Sequence, residues 1–148
     1  MILVVNTNSN TCRFYHYDKK PAQLTLAKEI SHPENKLKNS ELAADKMGHY
    51  KGDKGGRGAY SPRMDIKDVQ IDNFTREIAK MLDHYRNENG FEKLIVIAPP
   101  HIFGLLNGHL NKHVKELICH HIKKDLLQYS DQELLQFLHE HTKFTESK

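Results

Sequence analysis

Apolar positions change period several times along this 148-residue chain, and each change marks an element. "MILVVN" opens on an unbroken apolar run, the pattern of a short strand buried on both faces. "TCRFYHY" then alternates. Cys12, Phe14 and His16 fall on one side and Arg13, Tyr15 and Tyr17 on the other, as in a strand. The turn-rich "NTNSN" between them predicts a hairpin. "QLTLAKEI", after "DKKPA", repeats the alternation and completes a three-stranded antiparallel meander.

From Ile66 the spacing becomes helical. Val69, Phe74, Ile78, Met81, Leu82 and Tyr85 follow a 3.6-residue period, and Gly90 in "NENG" supplies the stop. The run 93–98 predicts a buried strand, and a helix follows from Pro100 to about Leu110. "NKHVKELICHH" reads as a second helical segment and "IKKDLL" as a short strand. Ser130 and Glu133 form a capping box that opens a last helix, with Tyr129 and Leu134 placed for a hydrophobic staple. The order of elements predicts an α/β fold: a mixed sheet, an antiparallel meander followed by parallel strands, with helices on both faces. Such layering is the economical way to cover a strand as apolar as "LIVIA".

Residues 31–65 interrupt this organisation. They lack apolar periodicity and carry Gly48, Gly52, Gly55, Gly56 and Gly58 among Lys36, Lys38, Lys46, Lys51, Lys54, Arg57 and Arg63. A long structureless stretch within a compact domain is either a functional loop or disorder. The length suits one domain over 1–143, with 144–148 as a disordered tail.

Composition narrows the class. The chain is 38% hydrophobic and 28% charged, with a formal charge of +3 and 11 histidines that would make its surface more basic below about pH 6.5. Two cysteines, Cys12 and Cys119, make no disulfide framework. No apolar run approaches the ~20 residues of a membrane span, and "MILVV" is too short for a signal-peptide core. The expectation is a soluble cytoplasmic protein without membrane contact.

Three places invite chemistry. At Pro99, Pro100 and His101 a buried strand turns into a helix. Pro100 suits the first helical position and Pro99 holds Ala98 extended. Ligands of open α/β sheets gather outside the carboxyl ends of such strands, and a helix N-terminus there favours an anion. A rigid structural turn is the alternative at this corner, and Gly104 and Gly108 read as positions of close helix–sheet packing. His109 and His113 have the i, i+4 spacing of helical zinc ligands, but "HLNKH" lacks the glutamate of zincin proteases. A solvated histidine face accounts for them, and no metal or other cofactor is assigned. Ser61, Ser130 and Cys119 lack any motif that would set a base beside them. The glycine-rich basic loop is the most informative feature. "YKGDKGGRGAYSPRM" joins flexible backbone N–H groups, cations and two tyrosines, the parts needed to follow a phosphate backbone and stack on bases.

"ILVVN", "HPENKLKNSELAADKMG", "GGRGAY", "LIVIAPPHIFGLL" and "KDLLQYSDQELLQFL" occur in this order across nearly the whole chain. Together they resemble the bacterial family of host attachment proteins, with "APPHIFGLL" the most specific piece. That family is in turn similar to the middle domain of archaeal and eukaryotic peptide-chain release factors. There a Gly-Gly-Gln loop precedes a long helix and enters the ribosomal peptidyl-transferase centre. Gly55 and Gly56 occupy the matching place here, and Arg57 stands where the glutamine would be. The resemblance implies an RNase H-like sheet and a ribosome- or tRNA-associated binding protein. In this reading Lys51, Lys54 and Arg57 contact phosphate and Gly55 and Gly56 allow close backbone approach. Two other functions stay open: a peptidyl-tRNA or other ester hydrolase using the same loop, and an adhesion-related interaction protein as the family label says. Oligomeric state is left undetermined by the sequence.

Overall fold

A computed structural model describes residues 1–35 and 60–142, with 60–65 described by backbone alone. Its strands are β1 (Ile2–Thr7), β2 (Thr11–Lys19), β3 (Ala22–Ser31), β4 (Lys93–Ile97) and β5 (Ile118–Ile122). Its helices are α1 (Tyr60–Glu88), α2 (Pro100–His109), α3 (Lys112–Leu117) and α4 (Asp131–His141), with a 3-10 turn at Pro33–Asn35.

The five strands form one mixed sheet in the order β3-β2-β1-β4-β5. The meander is antiparallel, with Val4 opposite Tyr15 and His16 opposite Thr25. β1 and β4 run parallel, Val4 beside Ile95, and β4 and β5 run parallel at the far edge. β1 and β4 are the central strands, and residues 94–97 of β4 are wholly buried. Their continuous apolar runs follow from having helices on both sides.

Alternation sorts the strand side chains into two cores. Leu3, Val5, Cys12, Phe14, Leu94 and Val96 face Ile71, Phe74, Ile78 and Leu82 of α1, Ile102 and Leu106 of α2, and Val114 of α3. Val4, Tyr15, Tyr17, Ile95 and Ile97 face Leu126 and, on α4, Leu134 and Leu138. Three helices therefore cover one face and α4 the other. The predicted α/β layering is the architecture observed.

Three boundaries differ from those the sequence predicts. The long helix begins at Tyr60 instead of Ile66, with Pro62 in its first turn, where a missing N–H interrupts no helical bond. Ser31, expected to open a structureless stretch, closes β3. The segment "ICHHI" is a strand, not the end of a helix, and "IKKDLL" is not a strand. Val114, Leu117 and Ile118 have helical spacing, so local pattern favoured a longer helix. The overriding influence is the outer edge of β4, whose buried backbone groups need a partner. Ile118–Ile122 supplies it, pairing Leu94 with Ile118 and Ile97 with Ile122.

The helix ends are built as local chemistry dictates. The Ser130 Oγ accepts from the Glu133 N–H at 3.1 Å and the Glu133 carboxylate accepts from the Ser130 N–H at 2.8 Å, the predicted capping box. Tyr129, placed by sequence for a staple with Leu134, meets Phe137 edge-on at 6.1 Å. Asn111 caps α3, its side-chain oxygen accepting from the Val114 N–H at 2.9 Å. Gly90, beyond the end of α1, has φ 68, the left-handed conformation that glycine adopts without a Cβ penalty. A Cβ on Gly104 or Gly108 would meet nothing within 4 Å, so close helix–sheet packing does not account for those glycines.

Candidate functional site

The loop residues singled out by sequence, Lys51, Lys54, Gly55, Gly56 and Arg57, lie outside the described residues, as do 144–148. The structure does describe both borders of their segment. The chain leaves at the Pro33–Asn35 turn and returns at Tyr60, and the Lys67 ammonium on α1 donates to the Glu34 carbonyl at 2.9 Å. Residues 36–59 contain six Lys or Arg and three Asp or Glu. The other residues hold 16 of each, so this one segment carries the whole formal charge of +3.

At the proline corner β4 turns directly into α2. Pro99 has φ −58 and ψ 154 and precedes α2 without a side-chain cap, and Pro100 fills the first helical turn. The Ala98 N–H donates to the Ile122 carbonyl at 3.0 Å, fixing the strand end, and the Pro99 carbonyl accepts from the Phe103 N–H at 2.9 Å. His101 is exposed and lies on the wall of a pocket of about 450 Å³ between α1 and α2. Asp68, Val69, Ile71, Asp72 and Leu105 complete that wall, and Pro99 and Pro100 are not part of it. Val69 of this wall is 53% exposed, and Ile66, three positions earlier on α1, is 61% exposed.

His109 and His113 are not a pair on one helix. α2 ends at His109, Leu110 is extended and α3 starts at Lys112, so the i, i+4 geometry does not apply. The His109 Nε2 instead meets Asp72 Oδ1 at 2.7 Å and ties α2 to α1. Arg76 Nη2 donates to the other Asp72 oxygen at 3.0 Å. The His109 hydrogen bond, first among its causes, holds the Asp72 carboxyl below the usual range. Among the described residues no three His, Cys, Asp or Glu side chains converge as metal ligands would. Burial raises both thiols, Cys12 most strongly, which keeps them protonated and poor nucleophiles. Burial also lowers the pKa of His120 and His121, and His121 stacks on Phe103 with ring centroids 3.6 Å apart.

A second, smaller pocket of about 210 Å³ went unnoticed in the sequence. His32, Glu34, Asn35, Asn73, Phe74 and Glu77 line it where β3 and the 3-10 turn meet α1. His32 Nδ1 lies 3.2 Å from Glu34 Oε2 and its Nε2 3.0 Å from Glu77 Oε1. The ring stands edge-on to Phe74 at 5.2 Å. Nothing local to His32 pointed to Glu77, which is 45 positions away. A wider depression of about 700 Å³ runs along α4, but its Ser130 and Glu133 are committed to the capping box.

These features define a small α/β domain with a basic segment ahead of its longest helix. The chain belongs to the family described as protein required for attachment to host cells, whose model matches residues 1–138. An uncharacterized protein of Rickettsia prowazekii (strain Madrid E) is 26% identical over 113 residues, 75% of this chain and 70% of that protein. A solved structure described as an archaeal protein superposes with a TM-score of 0.54 at 13% identity over 99% of this chain. The chain spans 35% of that structure's length, and the likeness is one of fold alone. Among the described residues no helix is long and apolar enough to cross a membrane.

Proposed function

We propose that this protein is a cytoplasmic nucleic-acid-binding module of the translation apparatus, engaging the ribosome or tRNA through its basic glycine-rich segment. The observation that carries the reading is the placement of charge. The chain's entire positive excess lies in 36–59, while the remaining residues balance at 16 cations and 16 carboxylates. A polyanion gains most from a protein whose positive charge is gathered in one glycine-rich stretch, because each phosphate contact releases counterions. Lys51, Lys54 and Arg57 make those contacts. Gly55 and Gly56 admit the backbone, and the guanidinium of Arg57 offers a planar fork to phosphate. The sheet order and the antiparallel-then-parallel arrangement support an RNase H-like relationship to the release-factor middle domain. Arg57 in place of the glutamine favours binding over ester hydrolysis.

The test is co-sedimentation with ribosomes through sucrose at near-physiological salt, beside a variant lacking residues 48–60. Replacing Lys51, Lys54 and Arg57 by alanine should weaken RNA binding and flatten its salt dependence by roughly 2 units of log–log slope, at ~0.7–0.9 per phosphate contact. Unchanged binding by both variants refutes the assignment. Hydrolysis of peptidyl-tRNA that disappears on changing Gly56 would turn the binding module into an enzyme.

A second reading has its own observation. Val69 in the wall of the His101 pocket stands exposed, as does Ile66 one helical turn before it, apolar surface suited to a protein partner and consistent with the family's attachment label. Loss of a partner from Val69→Asp, with ribosome binding absent throughout, would favour it.

A further inference from the structure

The pocket at His32 has a property that depends on neither reading of function. Each ring nitrogen of His32 faces a carboxylate oxygen: Nδ1 faces Glu34 at 3.2 Å and Nε2 faces Glu77 at 3.0 Å. A carboxylate only accepts hydrogen bonds, whereas a neutral imidazole has one N–H and one lone pair. Neutral His32 would therefore set a lone pair against one of the two carboxylates. Both contacts are attractive only when the ring is an imidazolium. The geometry thus selects a protonation state.

We propose that His32, held between Glu34 and Glu77, is a pH-operated clasp that fastens the Pro33–Asn35 turn to α1 when protonated and releases it when neutral.

The surroundings make the release local. On the side of the β1–β2 turn the segment is tied by the His32 N–H to the Asn10 carbonyl at 2.7 Å. The Asn35 amide adds a bond to the Ser9 carbonyl at 3.3 Å. Those bonds do not titrate. Towards α1 the described ties are the His32–Glu77 contact, the edge-on packing of His32 against Phe74, and the Lys67 ammonium on the Glu34 carbonyl. The charged groups facing the ring are Glu34 from the turn and Glu77 from α1, with Lys67 of α1 bonded behind Glu34. Cys12 of β2 presents a buried thiol within the field of Glu77. Two carboxylates against one ammonium leave the site in need of the imidazolium's charge.

The Glu77 hydrogen bond, opposed by burial and reinforced by Glu34, raises the His32 pKa above its ordinary value of 6.5. The direction of the switch follows. A raised histidine contributes stability that is complete below the unfolded value and is lost as pH rises through the folded one. The clasp is therefore shut in mild acid and opens as pH rises through that raised value, enlarging the pocket of about 210 Å³ against α1.

The experiment is an NMR titration of the full chain between pH 5 and 9, following the His32 ring nitrogens together with the backbone amides of residues 33–35 and 73–77. The His32 midpoint should lie above the ordinary histidine value, and the turn amides should move with the same midpoint. Amide protection at Asn35 should fall roughly two- to fivefold beyond the intrinsic pH effect, as expected for losing partly exposed ion pairs. Glu77→Gln should lower the midpoint and make the turn amides nearly pH-independent, and Glu34→Gln should lower it less. His32→Asn, with a urea midpoint near wild type, should leave the turn amides without this transition. A midpoint at or below the ordinary value, no response to Glu77→Gln, or turn amides that ignore the His32 titration would overturn the proposal. None of these outcomes depends on RNA binding.

Discussion

Phe74 offers the most direct check on how the long helix is seated. It is 2% exposed, belongs to the larger core, and also forms part of the wall of the His32 pocket, 5.2 Å from that ring. Phe74→Ala removes a ring from a site closed by the sheet on one side and the 33–35 turn on another. A space on the order of 100 Å³ opens. At about 24 cal/mol per Å³ it costs about 2.4 kcal/mol, and the lost transfer energy brings the sum to about 3–5 kcal/mol. A domain of this size has about 5–15 kcal/mol in all, so the variant should fold with a much reduced margin. With an m-value of about 2 kcal/mol/M, the urea midpoint should fall by about 2 M, followed by far-UV circular dichroism at constant m. Val69→Ala, on the same helix but 53% exposed, is the control and should change stability by less than about 0.5 kcal/mol. A Phe74→Ala shift under about 0.5 M with m unchanged would mean that α1 is not packed on the sheet as described.

Three further substitutions probe the backbone and the caps. Gly90→Ala should cost about 1–2 kcal/mol, because φ 68 disfavours any Cβ although the nearest atom, the Arg86 carbonyl oxygen, is 4.0 Å away. Gly104→Ala should stabilise α2 by about 0.5–1 kcal/mol, since its Cβ would enter open space in a helix interior; thermal melts of the two variants moving the same way would refute this distinction. Ser130→Ala should cost about 1 kcal/mol through the exposed N-terminus of α4, read by urea denaturation, and a loss under a few tenths would show that the capping box does not hold in solution.

Much of the fold was legible because its signals are local. The unbroken run of β1, the alternation of β2, the 3.6-residue period from Ile66 and the Ser130–Glu133 box each lie within one short window, and each became the predicted element. Failures began where two windows met. "ELICHH" continues a helical spacing, and only the bare edge of β4 makes Ile118–Ile122 a strand. The same limit governs the candidate sites. Sequence alone singled out the cationic glycine segment and the Pro99–Pro100–His101 corner, because composition and proline are visible without a partner.

What the sequence determined by itself, then, is an α/β chain whose positive excess lies entirely between Asn35 and Tyr60. Tertiary structure alone decided which polar groups meet. His109 abandons His113 for Asp72 on another helix, and His32 finds Glu77 across 45 positions. A side chain's charge and shape are written at one position, but its partner is set by strand register and helix docking. Those follow from burying two apolar faces of one sheet, which no single stretch of the chain contains.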